Sequence, residues 1–408
     1  MVSFDSVLGI CPKAAYYPEY DPHGGHYGET FDGIRALAYD GVELEGKKTR
    51  VFAHMGFPEN GDGPVPAVVL VHGGGGHPED VWIRRWNRRG YAAIAMDTTG
   101  FFPQYPIGHL YEGCAEGMER KLCPPFWEEG YVTAPDNSGM GDGQKPIEDQ
   151  WMYHAVAQVI LAHNLLRADG RIDKSKIGLC GISWGGVISS IVMGFDHRFA
   201  FAIPIYGSGY LGYGLSDLDK LFHNPAAYPW LAENRFHLVN MPVMWLCWND
   251  DNCFSVHSNS LSYLATWENN GNTCLSIKEN MLHSHYHGYT PPESYWFADR
   301  IVSGRAVPRV SAAYEGGRVR FSCSEPVSAA RLFFLHAPLA YVTREKYGTK
   351  SSFPSEEWKT MALDPAAGEA ALPEGAAACY VEFALDEGVA LCTPYVEIQR
   401  AGAGGKEN

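Results

Sequence analysis

The chain has 408 residues, 46% of them hydrophobic and 19% charged, a length that suits two domains and a composition that can bury a large core. Its 47 acidic residues outweigh 32 lysines and arginines and leave a net charge of −15. An acidic surface repels a phosphate backbone, and no apolar run reaches the roughly 18–20 residues that a membrane span needs. We therefore expect neither nucleic acid nor membrane among the partners.

The ten cysteines follow no zinc or disulfide spacing, and some, such as Cys180 and Cys247, lie within apolar runs. Scattered, core-like cysteines are typical of proteins in a reducing compartment. The first residues carry neither the basic segment nor the apolar segment of a signal peptide. These features predict a cytoplasmic location, and they leave the formation of a homo-oligomer open.

From residue 34 to residue 302, short apolar runs bounded by glycine alternate with helical patterns, which is typical of a parallel sheet with crossover helices. The strands are predicted at Ile34–Tyr39, Thr49–Ala53, Val65–Val71, Tyr91–Met96, Ile177–Gly181, Ala200–Tyr206, Val243–Cys247 and Thr273–Ile277. The helices are predicted at Asp80–Arg89, Asp149–Arg167, Trp184–Met193, Ser258–Asn269 and Pro292–Val302. The fold class is therefore α/β, after a polar lead-in.

Two stretches, 100–148 and 207–240, have no clean period and are rich in Gly, Pro or aromatic residues. Irregular segments of this length are usually functional, so we predict that both are active-site insertions. Some of their aromatic side chains, and one next to them, could form the walls of a pocket, although core packing accounts for most aromatics. These side chains are Phe101, Phe102, Trp127, Tyr206, Tyr210 and Trp230.

Beyond Gly304 the pattern changes to alternating polar and apolar residues between turn signals, and no long helix is evident. The clearest segments are Arg318–Cys323, Ala330–Leu335, Cys379–Ala384 and Tyr395–Ile398. Such a pattern predicts a β-sandwich of about 100 residues. We place the domain boundary between residues 303 and 304, with a catalytic domain at 1–303 and a β domain at 304–408.

The sharpest motif is Gly181-Ile182-Ser183-Trp184-Gly185, between a predicted strand and a predicted helix. In that context G-x-S-x-G is the nucleophile elbow, a tight turn that exposes a strained serine. The alternative is a glycine-rich turn with an N-capping serine. The flanking glycines favour the elbow, because side chains there would collide with the neighbouring strand and helix. Ser183 is the predicted nucleophile.

A serine nucleophile needs a base and an acid that orients the base, and in this type of fold they follow in the order Ser, Asp or Glu, His. An acid follows the strand Val243–Cys247, where we favour Asp251 over Asp250. Histidines follow the next strand, where we favour His283, the nearest to the strand end, over His285 and then His287. If this segment is extended, alternate histidines face one side.

A glycine run, Gly73 to Gly76, follows the strand Val65–Val71 and His72. Consecutive glycines let N–H groups converge on one oxyanion. The predicted donors are the N–H groups of Gly74 and of Trp184, directly after the nucleophile, while His72 is expected to anchor the loop. A phosphate-binding loop is the alternative, but neither of its usual motifs follows.

The His-x-His-x-His spacing at 283–287 also allows a metal site, with Asp250 or Asp251 as a further ligand. That interpretation leaves Ser183 and the glycine run unexplained. The serine interpretation is therefore favoured, and it needs no metal and no cofactor.

Four stretches, 71–100, 149–166, 176–186 and 198–209, resemble acetyl xylan esterase-like members of the dienelactone hydrolase/α/β-hydrolase superfamily. The similarity covers roughly residues 30–303 and implies an α/β-hydrolase fold. It also implies a role for Asp251 as the acid, an immunoglobulin-like β-sandwich at the C-terminus, and hydrolysis of esters. Dienelactone hydrolases use a cysteine nucleophile where this chain has Ser183, and Trp248 replaces the relatives' usual glycine before the acid.

The predicted function is that of a serine carboxylic-ester hydrolase whose substrate is a small-molecule or oligosaccharide ester, with acetylated sugars favoured. A prolyl-oligopeptidase-like peptidase is the first alternative, because it shares the order of catalytic residues. Such peptidases usually carry a large domain before the hydrolase, and here only about thirty residues precede the first strand. A non-catalytic carbohydrate-binding protein on a hydrolase scaffold is an alternative from another class.

Overall fold

The computed structural model of the protein describes residues 2–17, 33–59, 63–100, 130–213, 217–251, 253–338 and 357–398. The chain forms two compact units. The first comprises Met1–Gly207 with Asn224–Met241, and the second comprises Ser208–His223 with Pro242–Asn408. The predicted boundary between residues 303 and 304 stays a prediction.

The first unit contains eight described strands and four described α-helices. The strands are β1 (Ala14–Tyr17), β2 (Ile34–Asp40), β3 (Lys48–Gly56), β4 (Val65–Val71), β5 (Ala92–Met96), β6 (Tyr131–Thr133), β7 (Ile172–Ile182) and β8 (Phe201–Ile205). The helices are α1 (Asp5–Leu8), α2 (Asp80–Asn87), α3 (Trp151–Ala168) and α4 (Trp184–Val192). Every strand and helix predicted in this region is present, with ends shifted by at most five residues.

The strands of this unit form a sheet in the order β1-β2-β3-β5-β4-β7-β8, with β6 paired to β3. Strands β5, β4, β7 and β8 run parallel, and β1, β2, β3 and β5 pair antiparallel. The carboxyl ends of β4, β5, β7 and β8 therefore meet at one edge of the sheet. Chemistry in open α/β sheets is found at that edge.

Helix α3 is almost entirely buried, as expected of an apolar helix within a large α/β core. None of the helices in the described ranges combines the length and apolarity needed to cross a bilayer.

The N-terminal segment is more ordered than the predicted polar lead-in. Residues 5–8 form α1, and β1 pairs with β2. The amide Nδ2 of Asn164 donates to the carbonyls of Val7 at 2.9 Å and Ile10 at 2.6 Å, and Phe4 stacks on Tyr153 at 4.7 Å between ring centroids. The predicted polar lead-in therefore contains regular structure within residues 2–17, because distant side chains fix this segment.

The stretch 207–240, predicted to be irregular, contains short helices instead. Within the first unit, 3₁₀ helices run over Pro225–Trp230 and Ala232–Leu238, and Asn224 caps the first by accepting from the N–H of Ala226. Within the second unit, α5 spans Asp217–Phe222. Turns this short carry no helical period in the sequence, since each makes only one or two turns. The predicted role as an active-site insertion stays a prediction.

The second unit begins with strands β9 (Val243–Trp248) and β10 (Thr273–Lys278), which run parallel and are joined by helix α6 (Val256–Asn270). Ser255 caps the start of α6, and Gly271, at a φ of 63°, ends it, which suits a left-handed C-cap. Helices α7 (His285–Tyr289) and α8 (Pro292–Val302) follow β10.

The C-terminal part of this unit consists of antiparallel sheets. One has the order β11-β12-β15 and the other β14-β13-β16-β17, with β18 paired to β16. The strands are β11 (Val310–Glu315), β12 (Arg318–Cys323), β13 (Ala329–Leu335), β14 (Lys359–Leu363), β15 (Glu369–Ala371), β16 (Ala378–Ala384), β17 (Ala390–Cys392) and β18 (Val396–Glu397). Val319, Phe321, Leu332 and Val381 from both sheets share one apolar core. The predicted fold, an α/β-hydrolase followed by a small all-β domain, is confirmed.

Candidate active site

Ser183 lies at the turn between β7 and α4 with φ of 58° and ψ of −120°. A non-glycine residue at positive φ costs on the order of 1–3 kcal/mol and persists only where its surroundings impose it. Here the N–H of Ser183 donates to the carbonyl of Ile205, and the carbonyl of Ser183 accepts from the N–H of Val187, both at 3.0 Å. The turn has the strand–turn–helix form and the strain of a nucleophile elbow.

The glycines of the motif are required by close backbone contacts. A Cβ atom at Gly181 would lie 2.1 Å from the carbonyl oxygen of Gly185 in α4. A Cβ atom at Gly185 would lie 2.0 Å from the carbonyl oxygen of Val71 at the end of β4. Real Cβ contacts are never this short, so helix and strand approach closely only because both positions lack side chains. The collision that the sequence predicted is the one observed.

The glycine run after β4 is fixed by His72. Its Nδ1–H donates to the carbonyl of Gly73 at 2.7 Å, and its Nε2 accepts from the backbone N–H of Thr98 at 3.0 Å. Because Nε2 accepts a backbone N–H, the imidazole is held in the neutral Nδ1–H tautomer. His72 thus ties the loop after β4 to the loop after β5, as expected of an anchor.

The two predicted oxyanion donors belong to residues in direct contact. A Cβ atom at Gly74 would lie 2.6 Å from Cδ1 of the Trp184 indole, so the indole fills the space that a side chain would need. Trp184 in turn packs edge-on against Trp151 at 5.1 Å, and Trp151 Nε1 donates to the carbonyl of Thr98 at 2.7 Å. Gly74 is exposed. Packing therefore fixes the Trp184 indole over the glycine run.

His77 follows the run directly. Burial lowers the pKa of His77 to about 4 and raises the pKa of nearby Glu79 to about 7. At neutral pH the His77 imidazole is therefore uncharged. It offers no positive charge to an oxyanion, which the glycine run would stabilise through amide N–H groups.

In the second unit, Asp251 follows β9 and is fully buried. Its Oδ1 accepts from the N–H groups of Cys253 at 2.7 Å and Phe254 at 3.0 Å. Its Oδ2 accepts from Nδ1 of His283 at 2.8 Å. Two backbone donors thus orient the carboxylate, and the carboxylate orients the imidazole.

His283 is about one quarter exposed, and its ring lies parallel to that of Phe254 at 5.9 Å between centroids. Because Nδ1 donates to the carboxylate, the neutral ring presents Nε2 as its acceptor, which is the arrangement that a general base requires. No feature of the sequence predicts the contact between His283 and Phe254.

The structure brings together Asp251 and His283, the favoured members of each candidate set. Asp250 is half-buried. His285 begins α7, whose N-cap is Ser284, and His287 Nδ1 is 2.8 Å from the Ser284 hydroxyl. The segment 283–287 is therefore not extended throughout, because the chain turns into a helix at His285.

One group of side chains in the described ranges has the geometry to hold a metal ion. It consists of Asp251, Cys253 and His283, whose donor atoms lie within 4.8 Å of one another. This is not the predicted set of alternating histidines. It shares two members with the acid–base pair, so an ion bound there would occupy the imidazole that a serine mechanism uses.

Two of the aromatic residues considered as pocket walls belong to the core. Tyr206 is fully buried, and Trp230, 1% exposed, donates from Nε1 to Oε1 of Gln150 at 2.8 Å. Packing explains the burial of both side chains, and a role in lining a pocket stays a prediction. Tyr210 is half-buried. Phe101, Phe102 and Trp127 lie outside the described residues.

A strained serine in a nucleophile elbow, on a mainly parallel sheet with flanking helices, defines a serine hydrolase of the α/β-hydrolase type. Residues 126–299, less than half of the chain, match the family model of the prolyl oligopeptidase family. That match spans Ser183, Asp251 and His283, and it confirms the resemblance to the α/β-hydrolase superfamily.

Several solved structures are similar to the chain at low identity. Acetyl xylan esterase 1 from Thermoanaerobacterium sp. JW/SL YS485 is 15% identical with a TM-score of 0.49, and the match covers 72% of this chain and 92% of the esterase. The acetyl xylan esterase from Paenibacillus sp. R4 is 16% identical with a TM-score of 0.48, over 74% and 91% of the two chains.

The acylaminoacyl peptidase of Pyrococcus horikoshii is 14% identical with a TM-score of 0.48, over 66% of this chain. The match spans only 42% of the length of that peptidase. No curated protein sequence matches the chain significantly.

Proposed function

We propose that the protein is a carboxylic-ester hydrolase that removes acetyl groups from sugars or oligosaccharides through Ser183, His283 and Asp251. The observation that carries the proposal is the strained Ser183 at the turn between β7 and α4. The hydrogen bond between His283 and Asp251 supplies the matching base and acid.

The reaction proceeds by acyl transfer in two steps. His283 Nε2 takes the proton of Ser183 as the Oγ atom attacks the ester carbonyl, and the N–H groups of Gly74 and Trp184 stabilise the oxyanion. The C–O bond to the alcohol then breaks, and His283 returns the proton to the departing oxygen. Water repeats the sequence on the acyl-enzyme, which releases acetate and regenerates Ser183.

Asp251 keeps the proton of His283 on Nδ1 and stabilises the imidazolium that forms in each step. Its buried carboxylate suits this role, because Cys253 and Phe254 hold the other oxygen in place through their N–H groups.

The choice of an acetylated sugar rests on the resemblance to acetyl xylan esterase-like sequences and on charge. A net charge of −15 favours a neutral substrate over a polyanionic one. A peptidase is the second candidate, and the match of residues 126–299 to the prolyl oligopeptidase family favours it.

The test compares acetylated xylo-oligosaccharides, p-nitrophenyl esters of increasing acyl length and peptide p-nitroanilides at equal concentration. We expect kcat/KM to be highest for the acetyl esters and negligible for the anilides. A preference for a peptide anilide would replace the esterase proposal with the peptidase.

The Ser183→Ala variant should lose about 10⁴–10⁶ in kcat, because the nucleophile is removed. Ser190→Ala is the matched control, since Ser190 lies in the following helix and its hydroxyl donates only to the Gly186 carbonyl at 2.9 Å. We expect the control to keep its activity within a few fold. More than a few per cent of activity in Ser183→Ala would contradict the nucleophile assignment.

A further inference from the structure

We propose that the C-terminal β sheets position the acid–base pair, and that Trp358 is the main positioning residue. The proposal rests on the proposed function for its catalytic meaning, although the contacts themselves are independent of the substrate. All of them lie within the second unit.

Trp358 directly precedes β14 and is 6% exposed. Its Nε1–H donates to the backbone carbonyl of Asn249 at 3.1 Å. Asn249 is fully buried and lies two residues before Asp251. A hydrogen bond from the indole therefore fixes the backbone of the loop that carries the acid.

The same loop is tied to the end of β10. The N–H of Asn249 donates to the carbonyl of Lys278 at 3.1 Å, so Asn249 is held on one side by β10 and on the other by Trp358. The segment that starts after Lys278 reaches His283 five residues later. One residue thus links the positions of the acid and of the base.

The indole is itself held in place by aromatic rings. Trp358 packs edge-on against Tyr380 at 5.2 Å and Tyr395 at 6.5 Å, and Tyr380 stacks on Phe333 at 4.8 Å. Tyr380 belongs to β16 and Phe333 to β13. The donor is therefore anchored to the centre of a C-terminal sheet rather than to a surface loop.

Further contacts hold the end of β10 against the same sheet. The N–H of Ala390 in β17 donates at 3.2 Å to Glu293 Oε1, which is also paired with Lys278. Arg331 of β13 lies 3.3 Å from the carboxylate of Glu279, the residue after β10. The segment leading to His283 is thereby braced as well as the loop leading to Asp251.

Such bracing matters because catalysis depends on small displacements. A shift of about 1 Å far from the reacting atoms can cost about 10² in rate. The hydrogen bond between Asp251 and His283 is 2.8 Å long, and its length depends on both loops. Loss of the indole donor should lengthen or loosen this bond without altering any group that contacts the substrate.

The test replaces Trp358 with Phe, which keeps an aromatic ring and removes the donor. We expect kcat for p-nitrophenyl acetate to fall about tenfold with KM unchanged. The far-downfield ¹H NMR signal of His283 Nδ1–H, assigned through His283→Gln, should weaken or broaden. Trp267→Phe is the control, because Trp267 is 40% exposed on α6, and it should match the wild type in both readings.

If Trp358→Phe does not fold, the same measurements are made with benzothienylalanine at position 358. This residue differs from tryptophan only in having sulfur in place of the N–H, in a ring of the same shape. Wild-type kcat or an unchanged Nδ1–H signal in the folded variant overturns the proposal, and so does a rise in KM that accounts for the whole loss. If the wild type hydrolyses no ester, the proposed function fails, and the NMR comparison alone still decides whether Trp358 positions the pair.

Discussion

The nucleophile segment of the first unit and the acid–base segment of the second are held in place by different means. At the elbow, backbone geometry positions the serine. Ser183 has a φ of 58°, and Gly181 and Gly185 allow close contacts that a side chain would prevent. The carboxylate of Asp251 is instead positioned by hydrogen bonds from the His283 side chain and from the N–H groups of Cys253 and Phe254.

The two segments should therefore be sensitive to different kinds of substitution. The elbow is set by backbone contacts of a five-residue motif, with one another and with Val71 and Ile205, so a side chain added at Gly181 or Gly185 damages it directly. A network of hydrogen bonds depends on partners elsewhere in the chain, and Trp358 lies more than 100 residues beyond Asn249. The first arrangement should respond to local substitutions, and the second also to remote ones.

The largest loss of activity in the acid–base segment is expected from removal of the base. His283→Ala should reduce kcat by about 10⁴–10⁶, to the level of Ser183→Ala, because removal of the base disables the nucleophile. His285→Ala should stay within a few fold, since His285 starts α7. Steady-state kinetics with p-nitrophenyl acetate would check both. The reverse pattern would transfer the role of base to His285.

The acid comes next in size. Asp251→Asn should lower kcat by about 10⁴, because an amide no longer holds the proton of His283 on Nδ1. Asp250→Asn is the neighbouring control and should change kcat little. Equal losses in the two variants would show that the buried hydrogen bond of Asp251 is not what matters.

A smaller loss is expected from the glycine run. In Gly74→Ala the new methyl group would collide with the Trp184 indole and displace a predicted oxyanion donor, for which we expect a fall in kcat of about 10²–10³. Gly170→Ala is the control, because a Cβ atom there meets nothing within 4 Å. Full activity in Gly74→Ala would remove Gly74 from the oxyanion site.

The smallest effect is expected from chelation. Dialysis against EDTA should leave ester hydrolysis unchanged within error, because the serine mechanism uses no metal ion. If activity is lost and returns with Zn²⁺, then Asp251, Cys253 and His283 serve as metal ligands, and the comparison between the two segments no longer holds.

The elbow was the most predictable part of the site, because Gly181, Ser183 and Gly185 lie within five consecutive positions and form one recognisable motif. The core strands were also predictable, since runs such as Val65–Val71 are apolar throughout. Asp251 and His283 were harder to single out, because Asp250 adjoins Asp251 and two more histidines, His285 and His287, follow His283.

Elements whose stability comes from distant contacts could not be predicted. The four residues of β1 are too few to show a periodic pattern. Helix α1 and the residues after it are held by hydrogen bonds from the distant Asn164 to backbone carbonyls. The helix that begins at His285 depends on the cap by Ser284 and interrupts an apparently alternating pattern. The hydrogen bond from Trp358 to Asn249 joins two residues that are more than 100 positions apart and belong to no common motif.

The proposed mechanism depends on the reactivity of Ser183. Wild-type protein treated with a fluorophosphonate probe, digested and mapped by mass spectrometry should carry the label on Ser183 at close to one equivalent. The same treatment of His283→Ala should give almost none. Rapid ester hydrolysis with the label on another residue, or with no label at all, would contradict the serine mechanism.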